Sequence, residues 1–279
     1  MSIEPIGSNS SQSNPELLRL LFLGDIIGEP GRDAVIHCLP SLKQQYQVDV
    51  VIVNGENTAA GRGITPKIAQ ALFKAGADII TTGDHIWDQK EIIPFLSTEP
   101  RLLRPLNWPT GVPGQGIFIL DTPKGKLAAI NLQGLTFMKN QLDNPFQCIL
   151  NALADVQAQT PMIFIDFHAE TTSEKIAMGW HLDGQVSAVI GTHTHVPTAD
   201  ERVLPAGTAH QTDVGMCGPL DSVIGSNIKP IVDKFLYQMP TKFGVATGKV
   251  RINGCLIQIN PITGKAHHIE RIHHIHVPH

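Results

Sequence analysis

The sequence predicts an α/β fold, and three observations carry that prediction. Short apolar runs of strand length alternate with segments that bear helix start signals, the arrangement that builds sheets covered by helices. Five of these runs end in carboxylate, amide or imidazole side chains: Asp25, Glu56-Asn57, Asp84-His85, Asp166-Phe167-His168 and His193-Thr194-His195. Open α/β sheets place their chemistry outside the carboxyl ends of the strands, so the five ends point at one site. With 279 residues, 42% hydrophobic and 16% charged, the chain also has the composition and length to bury a sizeable core.

Residues 1–16 are rich in Ser, Asn and Pro and have little to bury, so they are expected to be a disordered tail. No internal repeat or linker interrupts the remainder, and 17–279 is expected to form one domain. A strand over 18–23 leads into Gly24-Asp25-Ile26-Ile27-Gly28-Glu29-Pro30-Gly31, a tight loop before a helix over 32–46. The next strand, 49–53, opens into a glycine-rich loop carrying Glu56 and Asn57. Thr65 as cap and Pro66 in the first turn start a helix that runs to residue 75. A third strand, 78–82, delivers Asp84 and His85, and a short helix follows over 91–96.

Residues 101–116 read as an irregular surface segment, either a substrate-facing wall or a long connection. A hairpin over 117–120 and 127–131 precedes a helix over 145–158, a strand over 162–165, a helix over 173–180 and a strand over 187–190. Further on, 203–208 reads as extended, 212–219 as a glycine-punctuated loop and 227–238 as helical. The chain closes in a hairpin of 249–259 with 265–276. Its last strand carries His267, His268, His273, His274 and His276, but their interleaving with Ile269, Ile272 and Ile275 makes a half-exposed strand rather than a metal site.

Several function classes are excluded at this level. The net charge of −4 gives no global nucleic-acid or membrane-surface signature. No apolar run reaches the roughly 18 to 20 residues needed to cross a bilayer, and no basic segment followed by an apolar one opens the chain. The four cysteines lie far apart without a CxxC pair, which argues against a disulfide framework and for a reducing cytoplasm. Neither a Gly-x-Ser-x-Gly elbow nor a GxxxxGK[ST] phosphate loop is present.

The strand-end residues instead form a mixed oxygen and nitrogen donor set suited to borderline metals such as Mn, Fe, Zn or Co. His193 and His195 stand two apart, and in extended chain such residues share a face. There are donors enough for two ions sharing a carboxylate. Such a pair, about 3.5–4 Å apart, can hold a hydroxide and clamp the oxygens of a phosphate.

Taken in order, Gly24-Asp25, Asn54-Gly55-Glu56-Asn57, Gly83-Asp84-His85, Asp166-Phe167-His168-Ala169-Glu170 and Gly191-Thr192-His193-Thr194-His195-Val196 resemble the calcineurin-like metallophosphoesterases. The set is more closely similar to the YmdB-type phosphodiesterases, a bacterial branch with dinuclear metal centres. The resemblance runs from residue 18 to 276 and takes in Thr208-Ala209 and Thr212-Asp213-Val214-Gly215-Met216. It implies a sandwich of central β-sheets flanked by helices, with the dinuclear site at the strand carboxyl ends. Asp25, Glu56, Asn57 and His195 would hold one ion, and Glu56, Asp84, His168 and His193 the other, with Glu56 bridging. Iron or manganese is the expected metal, with zinc or cobalt as alternatives.

The implied activity is attack of a metal-bridging hydroxide on 2′,3′-cyclic nucleotides or cyclic AMP, with His85 protonating the leaving oxygen. Nucleic acid enters only as a substrate, no membrane is involved, and a homo-oligomer is expected. The other readings are a phosphomonoesterase with the same centre and a metal-binding regulator without turnover. Two positions depart from the pattern. Ile27 stands where the broad superfamily has histidine, and Asp84 stands where both the broad and the close family expect asparagine. Asp84 adds negative charge beside the metals and is expected to pair with His85, favouring a protonated imidazole.

Overall fold

A computed structural model describes residues 16–278, so the expected tail lies, but for Glu16, outside the described residues. In chain order the elements are β1 (Leu18–Leu23), β2 (Asp25–Ile26), α1 (Gly28–Tyr46), β3 (Val50–Asn54), α2 (Pro66–Ala75), β4 (Ile79–Thr81) and α3 (Ile92–Leu96). There follow β5 (Ile117–Thr122), β6 (Gly125–Gln133), α4 (Pro145–Gln157), β7 (Met162–His168), α5 (Thr172–His181), β8 (Ala188–Thr192), β9 (Arg202–Val203) and β10 (Ala209–Gln211). The chain ends with β11 (Met216–Pro219), α6 (Ile228–Tyr237), β12 (Val250–Ile259) and β13 (Ala266–His276).

The strands form two sheets. One has the order β2-β11-β12-β1-β3-β4, with β13 paired to β12; the other has the order β5-β6-β7-β8-β10-β9. Alternation along each strand sorts the apolar runs into layers. Leu20, Phe22 and Ile52 of the first sheet meet Leu127, Phe164 and Ile190 of the second, with the Phe22 and Phe164 rings 4.9 Å apart. The opposite faces take helices: Leu21, Leu23 and Val51 pack with α1 and α2, while Ile130, Ile163 and Val189 pack with α4 and α5. Strands covered on both sides must be apolar at every position, which is why they read as unbroken hydrophobic runs. The result is an α/β sandwich with helices outside both sheets.

Parallel pairing fixes where the chemistry lies. β1, β3 and β4 run parallel in the first sheet, and β6, β7 and β8 run parallel in the second. Their carboxyl ends deliver the polar strand-end residues, three groups from one sheet and two from the other.

Three local expectations are corrected. α1 begins at Gly28 instead of residue 32, because Pro30 sits in the first helical turn, where its missing N–H costs no intrahelical bond. The strand expected over 203–208 stops at Val203, since Pro205-Ala206-Gly207 turns the chain and Leu204 N–H donates to the Thr208 carbonyl at 2.8 Å. Within 212–219, expected as a loop, Met216–Pro219 forms β11 and pairs with β2 and β12. The irregular 101–116 segment is a connection: Arg104 is buried, and its guanidinium donates to the carbonyls of Pro105 and Pro113. Among the described residues no helix is long and apolar enough to cross a membrane.

A buried ion pair holds the turn that carries the His-x-His motif. Lys175 of α5, 1% exposed, places Nζ 2.6 Å from Asp213 Oδ2. The same carboxylate oxygen accepts from Thr194 N–H at 3.1 Å and Thr194 Oγ1 at 2.7 Å, while Oδ1 accepts from Gly215 N–H at 2.8 Å. Removing one partner of such a pair strands a buried charge. Lys175→Met is therefore expected to cost about 3 kcal/mol in urea unfolding, and a loss under about 1 kcal/mol would contradict the brace.

Candidate metal centre

The turn after β3 brings in Glu56, the turn after β4 brings Asp84, His168 is the last residue of β7, and His193 follows β8 directly. One ligand atom from each lies within 4.8 Å of all the others, so this cluster could hold a metal ion. His168 Nε2 is 2.6 Å from Glu56 Oε2, 3.3 Å from Asp84 Oδ1 and 3.0 Å from His193 Nδ1. Gly83 is required there by space: a Cβ would lie 1.8 Å from Glu56 Oε2 and 2.2 Å from His168 Cδ2.

Asp25, Asn57 and His195 lie against this cluster rather than within it. Asp25 Oδ2 accepts from His193 N–H at 3.1 Å, and Asn57 Nδ2 is 3.3 Å from His195 Nε2. His195 Nδ1 donates to the Ile224 carbonyl at 3.0 Å, which fixes the tautomer and leaves Nε2 with its lone pair. Asp25 and Glu56 are fully buried; Asp25 Oδ1 has no hydrogen-bond donor, and the one group against Glu56 Oε2 is the His168 ring, 2.6 Å away. Buried carboxylate oxygens are costly unless satisfied, and a cation satisfies both without a donor. The donor set and its orphaned oxygen thus fit a metal centre.

The two histidines of the motif reach the site by a different route from the one expected. β8 stops at Thr192, and His193 and His195 have φ of 97° and 66°, so a left-handed turn and not extended backbone aims them. Positive φ at non-glycine residues is strained and is held by surrounding structure, here the Asp213 bonds to Thr194.

Asp166, Asn54, Thr81, Thr192 and Glu170 support the cluster, and the sequence assigned none of them a role. Buried Asp166 accepts from Thr192 Oγ1 at 2.7 Å, Asn54 Nδ2 at 2.9 Å and Thr81 Oγ1 at 2.5 Å, so one carboxylate ties β3, β4, β7 and β8 together. Thr192 Oγ1 also lies 2.9 Å from His168 Nδ1, and Asn54 Oδ1 accepts from Glu56 N–H at 3.0 Å. A sequence signal for Asp166 did exist: it stands two before His168 on one strand, hence on the same face. Glu170 is a further partner, its Oε2 3.1 Å from His193 Nε2.

His85 sits at the edge of the cluster. Its Nδ1 is 3.1 Å from Asp88 Oδ2, Arg62 Nε holds the same oxygen at 3.1 Å, and its backbone N–H donates to Glu56 Oε1 at 3.3 Å. The expected Asp84–His85 pair is loose, 3.9 Å from Nε2 to Oδ2. Burial pulls the His85 imidazole below its ordinary value and outweighs the pull of Asp84 and Asp88, so the expected bias toward the protonated ring is not met.

The cluster's charges explain each other. Burial pushes Glu56 up to about 8 against the attraction of His168. His168 stands well above the usual imidazole range; burial opposes this, but the charge of Glu56 and the contacts with Asp84 and Glu56 prevail. Burial likewise raises Asp84, but its hydrogen bond and charge interaction with His168 hold it well below the carboxylate range. His193 is depressed to about 3 by burial and by the positive ring of His168. The surrounding carboxylates thus favour the protonated form of the His168 ring.

The profile of the YmdB-like protein family matches residues 21–272. Over 255 residues, 91% of this chain and 96% of the relative, the chain is 51% identical to the 2′,3′-cyclic-nucleotide 2′-phosphodiesterase of Bacillus subtilis (strain 168). The structure of a Mycoplasma pneumoniae protein described as a novel phosphatase superposes with a TM-score of 0.89 at 37% identity, covering 94% of this chain and 95% of that one. A Thermus thermophilus protein gives 0.86 at 39% identity, with 94% and 100% covered. A match that runs from β1 into β13 and takes in every strand end at the cluster means that the chain belongs to the YmdB-like family of metallophosphoesterases and is an enzyme of phosphoric ester hydrolysis.

Proposed function

We propose that the chain is a metal-dependent phosphodiesterase that hydrolyses cyclic nucleotides, 2′,3′-cyclic nucleotides foremost. The observation that carries the reading is the buried cluster of Glu56, Asp84, His168 and His193, with the buried Asp25 Oδ1 beside it left without a donor. Asp25, Glu56, Asn57 and His195 would hold one ion, and Glu56, Asp84, His168 and His193 the other. Iron or manganese suits this donor set, and zinc or cobalt is the alternative. When bound, the ions supply Lewis acidity for the phosphoryl group and for the attacking water. The substrate class is supported by the Bacillus subtilis relative, whose name states that chemistry, at 51% identity.

The chain's own residues divide the remaining work. Asp166 and Thr192 orient His168, the Ile224 carbonyl orients His195, and Glu170 orients His193, so that each ring presents one chosen nitrogen. Asp84 supplies one oxygen at the position where an amide was expected, and its charge strengthens the hold on a cation. His85 is anchored through Nδ1 by Asp88, which leaves Nε2 to hand a proton to the departing ribose oxygen. The phosphatase description of the Mycoplasma pneumoniae relative favours one second reading, a phosphomonoesterase with the same centre.

Chelation should abolish hydrolysis of 2′,3′-cyclic AMP, and Mn or Fe should restore it; full activity in stripped protein with chelator present would rule the mechanism out. Glu56→Ala should lower the ion content more than any other single replacement, as counted by elemental analysis, and two ions retained per chain would remove its bridging role. His85→Ala should keep its ions and fold while losing about 10²–10⁴ in turnover on a ribose diester. On a nitrophenyl diester, whose leaving group needs little protonation, the loss should shrink. Equal losses on both substrates would point instead to a phosphate-stabilising role.

A further inference from the structure

A cavity of about 570 Å³ opens beside the metal cluster, with His85 and His195 among its lining residues. Much of its wall comes from the two stretches that flank α6, residues 224–226 and 242–245. The hydrogen bond from His195 Nδ1 to the Ile224 carbonyl ties that wall directly to the centre. Phe243 and Ile224 line the cavity and are 47% and 51% exposed, so they present apolar surface that no core covers. Two cations, Arg62 and Lys242, also line it, and no Asp or Glu does. Arg62 is paired through Nε with Asp88, whereas the Lys242 ammonium makes no ion pair or hydrogen bond with any described residue.

The volume lies within the range of about 300–1,000 Å³ typical of small-molecule sites. Its occupant must be anionic beside the histidines and flat and apolar beside Phe243, and a mononucleotide has both properties. We infer that this cavity is the nucleotide subsite, in which Phe243 stacks on the base, Ile224 covers its edge and Lys242 with Arg62 receives the anionic charge. The inference rests on the diesterase reading above and extends it to specificity. No carboxylate or amide side chain lines the cavity to read a base edge, so stacking on Phe243 dominates the selection. All four bases are accepted, and purines, with more stacking area, bind better than pyrimidines.

The test compares 2′,3′-cyclic AMP with ribose 2′,3′-cyclic phosphate, the same diester without a base. In the unmodified enzyme the KM ratio should favour the base-bearing substrate by about 5- to 150-fold, the range of one base–aromatic stack. Phe243→Ala should collapse that ratio toward one, and Phe243→Trp should restore it. Phe243 is half exposed, so its replacement leaves the core intact. A ratio unchanged in Phe243→Ala, or one already near one in the unmodified enzyme, would overturn the subsite. Failure of the diesterase reading shows separately, as no turnover of either diester. Calorimetry with 5′-AMP on the metal-loaded protein then decides: at least a 5-fold weaker affinity in Phe243→Ala supports the subsite, while equal affinity or no binding by the unmodified protein overturns it.

Discussion

The structure depends on neutralising buried negative charge. Asp25 and Glu56 are wholly inaccessible to solvent, the Asp84 side chain is 10% exposed, and all three converge on the single ring of His168. No folded protein keeps such a group of carboxylates ionised without a compensating cation, because burial favours the neutral form of each. The elevated Glu56, the elevated His168 and the depressed His193 are three expressions of that one constraint. A metal ion would meet it better than a proton, since it can be shared by several carboxylate oxygens at once.

The surroundings hold these groups in place against their mutual repulsion. Asp166 joins four strands drawn from both sheets through three hydrogen bonds, so the sheets cannot slide without breaking them. Burial raises its own carboxyl to about 6, although the Thr81 and Thr192 hydroxyls and the charge of His168 pull the other way. On the far side, Lys175 and Asp213 clamp Thr194 and keep its two neighbours in left-handed backbone. The positions of the metal-facing rings are thus set by residues that never face the metal.

Much of this was legible in the sequence, for reasons that can be named. Double-sided burial writes strands such as β1, β3 and β7 as unbroken apolar runs, and parallel pairing puts their polar ends together. Helix α2 matches its expected bounds because Thr65, Pro66 and the left-handed Gly76 are local signals. Tertiary facts were less visible. Pro30 reads as a loop residue until its place in the first turn of α1 is known, and β11 hides among glycines because its pairing partners are distant in sequence. The turn that aims His193 and His195 depends on Asp213, which lies well beyond the motif in the chain, so an extended-chain argument gives the wrong geometry for the two rings. The effect of Asp84 on His85 was misjudged for a similar reason: adjacency in sequence leaves their side chains 3.9 Å apart, and burial decides the balance.

The central claim is that buried carboxylates and imidazoles at the sheet ends form one centre for two ions. Anomalous diffraction from crystals of the manganese-loaded protein, recorded above and below the manganese edge, addresses it most directly. The account predicts two peaks per chain: one bounded by Glu56, Asp84, His168 and His193, the other by Asp25, Glu56, Asn57 and His195. A single peak, or peaks that leave the Asp25 and Glu56 oxygens without a partner, would contradict it.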